Sequence, residues 1–245
     1  MPLKLYPAVP TDAGRISEIH IAAFASNAML LAQFQTPEVR KRLRESIRMK
    51  ALADIEDPKI TVLVVRDILQ DSDTLYMREA EGDSYTHSDF NIIRNWSNSE
   101  ESQAGKVIAF AKWSHPVGKD EKYEETAWVW PPGTNMNILE SWGRATEEAQ
   151  EQSVGDQPCY RLTFMGTDPS HERRGAASMM VRWGLEQCRK DNIPGYLEST
   201  LDAAPFYGKM GFTKSRRISL EYVVEDQNQY KVYEELAFVY HPNLT

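Results

Sequence analysis

The chain has 245 residues, of which 41% are hydrophobic and 26% are charged, which is typical of a globular protein with a sizeable core. Its net charge of -8 disfavours nucleic acid as a partner, because phosphate contacts require a basic face. The first residues lack the basic and apolar regions of a secretory signal, and no apolar run approaches the roughly 18 residues of a membrane span, so the sequence predicts a cytoplasmic protein without membrane contact.

The two cysteines, Cys159 and Cys188, indicate no disulfide framework, and neither belongs to a CxxC motif. The five histidines form no cluster with the spacing of metal ligands. The sequence therefore predicts no bound metal. Cys188 falls on an apolar helix face and is expected to be a core residue.

The N-terminal part predicts a short strand over Leu3–Val9, followed by a helix that Thr11 or Asp12 would cap. A second helix is predicted from Pro37, because proline is favoured in the first helical turn and apolar residues follow it at helical spacing.

Two segments rich in apolar and β-branched residues, Lys59–Asp67 and Lys106–Pro116, predict strands. The turns that bound them favour an antiparallel pair. The segment between them, near 67–105, is acidic, rich in serine and without periodicity, which predicts a long surface loop inserted between the two strands.

A second insertion is predicted near 118–157, where a helix would begin at Thr134 or Asn135 after a Pro-Pro-Gly break. The remaining chain predicts alternating strands and helices. These are strands over Cys159–Pro169, Pro194–Thr200, Arg216–Val224 and Tyr230–Tyr240, a long helix running to Cys188, and a short helix within Asp202–Phe212. Since no repeat or domain boundary is visible, the sequence predicts one α/β domain over residues 1–245.

The stretch "DPSHERRGAASMMVRWGLEQC" places a glycine, two adjacent arginines and small residues at the start of the long helix. The first turn of a helix has N–H groups without internal acceptors, and the small residues from Gly175 to Ala177 would leave them accessible. A phosphate would supply those acceptors, and Arg173 and Arg174 would add charge-assisted contacts. The alternative is that Gly175 eases a turn and that the arginines face water.

Two motifs in this order resemble the signatures of the GNAT (Gcn5-related N-acetyltransferase) superfamily. The first is "ERRGAA", Glu172 to Ala177, within a stretch similar to fungal-type members, and the second is "YLESTLDAAPFYGKMGF", Tyr196 to Phe212. The resemblance implies an α/β fold with a mixed, mostly antiparallel, twisted sheet and helices on both faces. It also implies that acetyl-CoA binds as co-substrate between the fourth and fifth strands.

The resemblance further implies a set of residues that hold acetyl-CoA. The backbone of Met165–Thr167 would pair with the pantetheine arm, although Gly166 would also fit a bulge. The full predicted set is Met165, Gly166, Thr167, Glu172, Arg173, Arg174, Gly175, Ala176, Ala177, Ser178, Phe206 and Lys209. The motif has Gln or Arg where this chain has Glu172, so we expect that carboxylate to point away from the phosphates or to pair with a neighbouring arginine.

Two residues are candidates for the chemistry. Tyr207 matches the family's tyrosine near the leaving thiolate and is expected to act as general acid, with packing beside Phe206 as the alternative. Glu198 lies in the middle of a predicted strand, where a carboxylate is unusual unless the strand lines a cleft. It would take a proton from the acceptor amine, directly or through water, or anchor its ammonium group, or simply face solvent at the rim.

Aromatic and acidic residues near the Pro-Pro-Gly break suit a cationic amine through cation–π contacts, or belong to the core. They are Glu124, Glu125, Trp128, Trp130 and Trp142. Trp113, at the end of a strand, is expected in the core, and His115 and His171 are expected at the surface.

Together these features predict an N-acetyltransferase that transfers an acetyl group from acetyl-CoA to a primary amine by direct attack in a ternary complex. The acceptor would be a small-molecule or peptide amine, and the protein a monomer or homodimer. The alternative is a catalytically inactive CoA-binding sensor or scaffold, which Glu172 and the insertions favour.

Overall fold

A seven-stranded sheet organises the residues that the computed structural model describes, 2–68, 105–224 and 229–242. The strands are β1 Leu3–Pro7, β2 Ile60–Asp67, β3 Lys106–Ser114, β4 Tyr160–Thr167, β5 Gly195–Thr200, β6 Thr213–Val224 and β7 Gln229–Tyr240. They lie in the order β1-β2-β3-β4-β5-β7-β6, and each neighbouring pair is antiparallel except β4 and β5. The mixed, mostly antiparallel sheet expected from the sequence is confirmed.

Six α-helices accompany the sheet within these residues. They are α1 Ala13–Ala23, α2 Ala28–Gln33, α3 Pro37–Glu56, α4 Met136–Val154, α5 Ala176–Asp191 and α6 Ala204–Lys209. Short 3-10 turns, Pro10–Asp12 and Pro169–His171, precede α1 and α5. Over the described ranges, no helix combines the length and the hydropathy that crossing a bilayer requires.

Helices cover both faces of the sheet, as β2 shows most directly. Val62 and Val64 belong to a buried cluster with side chains of α1 and α3, whereas Leu63 and Val65 belong to a cluster with α5. A strand covered on both faces carries a nearly continuous apolar run, which is the pattern that predicted β2. Helices on both faces are therefore confirmed.

The helix caps were predicted with mixed success. The side chains of Thr36 and Asn135 accept hydrogen bonds from the first turns of α3 and α4, so both helices begin where the sequence predicts. Asp12 occupies the N-cap position of α1, as expected, but its side chain makes no capping bond and instead holds the Arg66 guanidinium at 2.7 and 2.8 Å. Helix α2, which the sequence analysis did not predict, is capped by Asn27.

The two predicted insertions differ in what the structure describes. Nearly all of the segment near 67–105 lies outside the described residues. The segment near 118–157 contains α4, whose Trp142, Ala145 and Ala149 pack on the buried side chains of β5, β6 and β7. Helix α4 therefore lies on the same face as α1 and α3. That residues 1–245 form one domain stays a prediction.

Candidate active site

Strands β4 and β5 pair over only three residues and then separate. Tyr160–Leu162 pair with Gly195–Leu197, after which β4 continues to Thr167 beside β3 and β5 continues to Thr200 beside β7. In the described part of the chain, the facing backbone edges beyond this point have no strand partner. The two strands between which the resemblance places acetyl-CoA therefore separate at this point.

The splay opens into a cleft of about 1310 Å³. This exceeds the roughly 300–1,000 Å³ of most small-molecule pockets, so a large ligand and a second substrate fit together. Its walls come from β4, the turn into α5, the loop after β5, the α1–α2 connection and β7. The lining residues are Ala23, Phe24, Ser26, Asn27, Ala28, Met165, Gly166, Thr167, His171, Glu172, Arg173, Arg174, Gly175, Ala176, Ala177, Ser178, Thr200, Leu201, Asp202, Ala203, Phe206, Val232, Tyr233 and Glu234.

Gly166 allows β4 to lie close to the end of α1 and to the ring of Phe110 on β3. A Cβ atom at this position would lie 2.9 Å from Phe110 Cε1 and 3.3 Å from Ala23 Cβ. The bulge that was the alternative reading of Gly166 is not there, because Gly166 pairs in register with Phe110 and the irregularity in β4 falls between Leu162 and Phe164. The glycine thus allows close packing at the floor of the cleft.

The turn into α5 contains two residues with positive φ, Arg173 at 59° and Gly175 at 94°. Glycine adopts this conformation without steric cost, and open space surrounds the position that its Cβ would take. No side chain caps α5, whose first turn presents the N–H groups of Ala176–Ser178 without internal acceptors. Such a helix start favours an anionic ligand.

Two ion pairs fix this turn to the rest of the domain. Arg174 donates to both oxygens of Asp67 at 2.6 and 3.0 Å, and these bonds lower the pKa of that carboxyl. Arg15 of α1 binds Asp168. Burial opposes the ionisation of Asp168, but hydrogen bonds from Ser170 and Arg15 outweigh it and hold its pKa below the usual range.

The charged groups left at the turn are Arg173 and Glu172. Both side chains are exposed, and neither has an ion pair within the described ranges. The expected pairing of Glu172 with a neighbouring arginine is therefore not observed, because Arg174 is held by Asp67. Contact of Arg173 or Arg174 with a phosphate stays a prediction.

Tyr207 lies beneath the cleft rather than on its surface. Its ring is buried and packs against Phe206, Phe212 and Phe238 with centroids 5.1, 6.1 and 6.2 Å away. Burial raises the pKa of its hydroxyl, and the Glu235 carboxylate raises it further, so the group stays protonated at neutral pH. Phe206 lines the cleft, whereas Lys209, the one predicted cofactor residue outside its lining, is exposed on α6.

Glu198 is held in an ion pair within the sheet. Its Oε1 accepts a hydrogen bond from Arg161 Nη2 at 2.7 Å, and its side chain is only 9% exposed. The guanidinium of Arg161 also lies 5.8 Å from the ring centre of Tyr196. Glu198 does not line the cleft in this structure. The expectation that it faces solvent at the rim is wrong, whereas its roles as base or anchor stay predictions.

A second carboxylate near the cleft, Glu235, was missed by the sequence analysis. Its Oε1 accepts a hydrogen bond from the Tyr233 hydroxyl at 2.6 Å, and that hydroxyl accepts one from Asn27 Nδ2 at 2.7 Å. Burial raises the pKa of Glu235 to about 7, with the Tyr233 hydrogen bond opposing and the Glu198 charge reinforcing the shift. The only signal in the sequence is the alternation of Tyr233 and Glu235 on one strand face.

The tryptophans near the Pro-Pro-Gly break pack within the protein. Trp128 and Trp130 stack with centroids 4.6 Å apart and cover the apolar face of α3, and Trp142 packs edge-on against Tyr233. Glu125 binds Lys112 Nζ at 2.5 Å and Lys50 Nζ at 2.6 Å, so its charge is already neutralised. Of the two expectations for these residues, the core is the one that the structure supports.

The remaining predictions concern histidine and cysteine. Trp113 and Cys188 are fully buried, as expected. His115 and His171, which were expected at the surface, are both half-buried: His115 bonds Thr61 at 2.8 Å, and His171 lines the cleft. Burial raises the pKa of the Cys159 thiol to about 11 and that of Cys188 to about 12, which makes both poor nucleophiles. No group of three or more metal-ligating side chains occurs in the described ranges.

Several known proteins are similar to this chain in sequence or in fold. A stretch of 61 residues is 42% identical to "Probable acyltransferase SID5" of Ajellomyces capsulatus, covering 25% of this chain and 43% of that protein, so the match spans less than half of the relative. An HPA2-related acetyltransferase of Corynebacterium glutamicum aligns with 18% identity and a TM-score of 0.54, covering 100% of this chain and 99% of that chain. Arabidopsis thaliana NAA60, solved with acetyl-CoA, aligns with 13% identity and a TM-score of 0.50, covering 99% of each chain. These two structures, at such low identity, support the fold alone.

The family model described as "Acetyltransferase (GNAT) family" matches residues 69–212. That range is more than half of the chain and contains β3, β4 and β5 together with the turn into α5. The chain therefore belongs to the GNAT family of acetyltransferases.

Proposed function

We propose that the protein transfers an acetyl group from acetyl-CoA to a primary amine of a small molecule or peptide. The observation that carries the proposal is that the splayed edges of β4 and β5 and the uncapped start of α5 open into one cleft. The N–H groups of Ala176–Ser178 fit the pyrophosphate, and the free edge of Met165–Thr167 fits the amide-bearing pantetheine arm. The cited acyltransferase relative and the acetyl-CoA complex of the Arabidopsis structure agree with this assignment.

The reaction proceeds by direct attack in the ternary complex. The amine nitrogen, once deprotonated, attacks the thioester carbonyl carbon, and the C–S bond breaks with its electron pair on sulfur. Tyr207 donates a proton to that sulfur as the thiolate leaves, since its raised pKa keeps it protonated. A carboxylate on the same face of the sheet as Glu198 receives the proton that the amine loses, or binds the ammonium group. Alignment of both substrates in the cleft supplies much of the rate acceleration.

A CoA-binding sensor without catalysis is the second candidate. Three observations favour it: Glu172 sits at the mouth of the cleft, and neither Tyr207 nor Glu198 lines the cleft wall. Substrate binding must bring those two side chains within reach if the protein is an enzyme.

The test combines CoA binding with turnover. We expect CoA to raise the melting temperature, and acetyl-CoA to release free thiol with at least one of spermidine, tyramine and a peptide with a free N-terminus. Tyr207→Phe should then lower turnover at least 10-fold at unchanged CoA affinity, because general acid catalysis typically contributes about 10²–10⁴-fold. Tyr240→Phe, in the same buried cluster, is the matched control.

The outcomes separate the two functions. Stabilisation by CoA without thiol release on any of these amines supports the sensor. No stabilisation by CoA contradicts both functions, and unchanged turnover of Tyr207→Phe removes that residue from the mechanism.

A further inference from the structure

Two glutamates occupy diagonal positions on one face of the β5–β7 pair. Glu198 lies opposite Ala237, and Glu235 lies opposite Thr200. Diagonal neighbours of an antiparallel pair are typically about 7–8 Å apart, close enough for two carboxylates to interact. Both residues follow the point at which β4 and β5 separate, so the pair lies on the part of the sheet that borders the splay.

The two carboxylates have different partners. Glu198 is bonded to Arg161, a permanent cation. Glu235 accepts only the Tyr233 hydroxyl, and no cation pairs with it in the described ranges. The neighbour Glu234 points its charge elsewhere, toward Arg217. The pair therefore combines a carboxylate that is bonded to a cation with one that accepts only a hydroxyl group.

A short hydrogen-bonded path joins Glu235 to the cleft. Asn27 and Tyr233 both line the cleft, and so does Thr200, the residue opposite Glu235 on β5. The Tyr233 hydroxyl donates to Glu235 and accepts from Asn27, which leaves its second lone pair for a donor in the cleft. An amine at this wall is thus one hydroxyl away from Glu235.

The groups around Glu235 come from four elements. Tyr207 of α6 is near enough for the Glu235 charge to raise its pKa, and Glu198 of β5 contributes the other negative charge. On β6, Ile218 lies opposite Glu235, with the charged Arg216 two residues away opposite Ala237. Helix α4 adds the apolar Trp142 against Tyr233. Burial, the largest effect, raises the pKa of Glu235 to about 7.

We propose that Glu235 is the final acceptor of the proton that the substrate ammonium loses, and that Tyr233 passes it on. The ammonium proton moves to the Tyr233 oxygen while the Tyr233 proton moves to the Glu235 carboxylate, so the tyrosine ends unchanged and the amine lone pair is free to attack. Glu198 remains paired with Arg161, and its charge raises the pKa of Glu235. This inference rests on the proposed function and names the base within it.

The kinetic test uses acetyl-CoA and whichever of spermidine, tyramine and the peptide gives the highest turnover. We expect the pH profile of kcat/KM to have an acidic limb near pH 7, because burial raises the pKa of Glu235 to about 7. Glu235→Gln should lower kcat/KM at least 100-fold and abolish that limb, and Glu235→Asp should restore part of the activity together with a limb. Tyr233→Phe should lose activity as Glu235→Gln does.

Glu198→Gln is the matched variant that separates the two carboxylates. Removal of its charge should move the acidic limb to lower pH without abolishing it, because a neighbouring anion no longer opposes ionisation of Glu235. The CoA affinity measured by calorimetry should be unchanged in every variant, which would show that each variant is folded. A limb that persists in Glu235→Gln, or that disappears in Glu198→Gln instead, overturns the proposal.

A second readout does not depend on turnover. In protein labelled with ¹³C at the glutamate carboxyl carbons, one resonance should titrate near pH 7 and be absent from Glu235→Gln. If Glu235 titrates at the usual value near pH 4 while amine-dependent thiol release is present, this inference fails and the proposed function stands. If Glu235 titrates near pH 7 but no amine releases thiol, the proposed function fails and the proton-acceptor role fails with it.

Discussion

Glu172 is an acidic residue of the cleft that lies beside the start of α5, where its charge opposes the proposed ligand. It occupies the first position of the turn into α5, is exposed, and has no ion pair within the described ranges, because Arg174 is already bound to Asp67. Its carboxylate therefore lies at the cleft mouth, beside the N–H groups that are proposed to receive a pyrophosphate. A repulsive charge at this position would lower the affinity for the proposed CoA ligand without altering the contacts of the backbone.

Glu172→Gln should consequently bind CoA more tightly. Exposed charges interact weakly through water, so we expect a gain of about 0.5 kcal/mol, or roughly two-fold in Kd. Calorimetry at low and high salt measures it, and the gain should shrink at high salt because ions screen the repulsion. Glu186→Gln, which removes an exposed carboxylate farther along α5, is the control. Weaker binding by Glu172→Gln would mean that this carboxylate orders the turn rather than repelling the ligand.

A site residue could be predicted from the sequence when it belongs to a local motif, and could not when its role depends on a partner far away in the chain. Residues proposed to act through the backbone, such as Gly175 and Met165, were found from sequence because they belong to local motifs. Glu235 was not found, because its raised pKa depends on burial and on Glu198, a partner on another strand. The pairing of Arg174 with Asp67 was missed for the same reason, since the two residues are far apart in sequence.

At the scale of elements, the strands were predicted well because their apolar alternation is local. Helix α3 begins at Pro37 and helix α4 begins after Asn135, as predicted. The six-residue α2 escaped prediction, since so short a helix has little periodicity and depends on tertiary packing. What periodicity could not provide was the contact of one element with another, and Gly184 of α5 shows this most clearly.

Gly184 and Gly143 both lie inside helices but have different surroundings. A Cβ at Gly184 would lie 2.2 to 2.4 Å from the buried ring of Trp113, whereas nothing lies within 4 Å of a Cβ at Gly143 in α4. Gly184→Ala should therefore lower the free energy of unfolding by about 1–3 kcal/mol, despite the helix propensity of alanine. Gly143→Ala, the matched control, should raise it by about 0.5–1 kcal/mol. Urea denaturation measures the free energy of unfolding of both variants. Equal stabilisation by both changes would contradict the tight contact of α5 with the sheet.

At the scale of the whole molecule, two groups with shifted pKa values, His20 and Glu235, shape the dependence of stability on pH in opposite ways. Burial lowers the pKa of His20 to about 4, so between about pH 4 and 6.5 the unfolded chain binds more protons and stability rises with pH. Burial raises the pKa of Glu235 to about 7, so between about pH 4.5 and 7 the folded chain binds more protons and stability falls with pH. The contributions of His20 and Glu235 to the pH dependence of the free energy of unfolding therefore offset each other.

His20→Leu should remove the contribution of His20 to this pH dependence and leave that of Glu235. His20 lies among Phe24, Phe110 and Phe164, with ring centroids 4.9, 5.7 and 4.9 Å away, so leucine fits the apolar surroundings. Relative to the wild type, the variant should lose stability as the pH rises from 4.5 to 6.5, by on the order of 2 kcal/mol, because one pKa unit corresponds to about 1.4 kcal/mol. Urea unfolding across this pH range measures the difference, and His241→Leu, at an exposed position, should show none. A wild-type-to-variant difference that does not change with pH would mean that His20 titrates alike in the folded and unfolded chains, and that its burial carries no cost of ionisation.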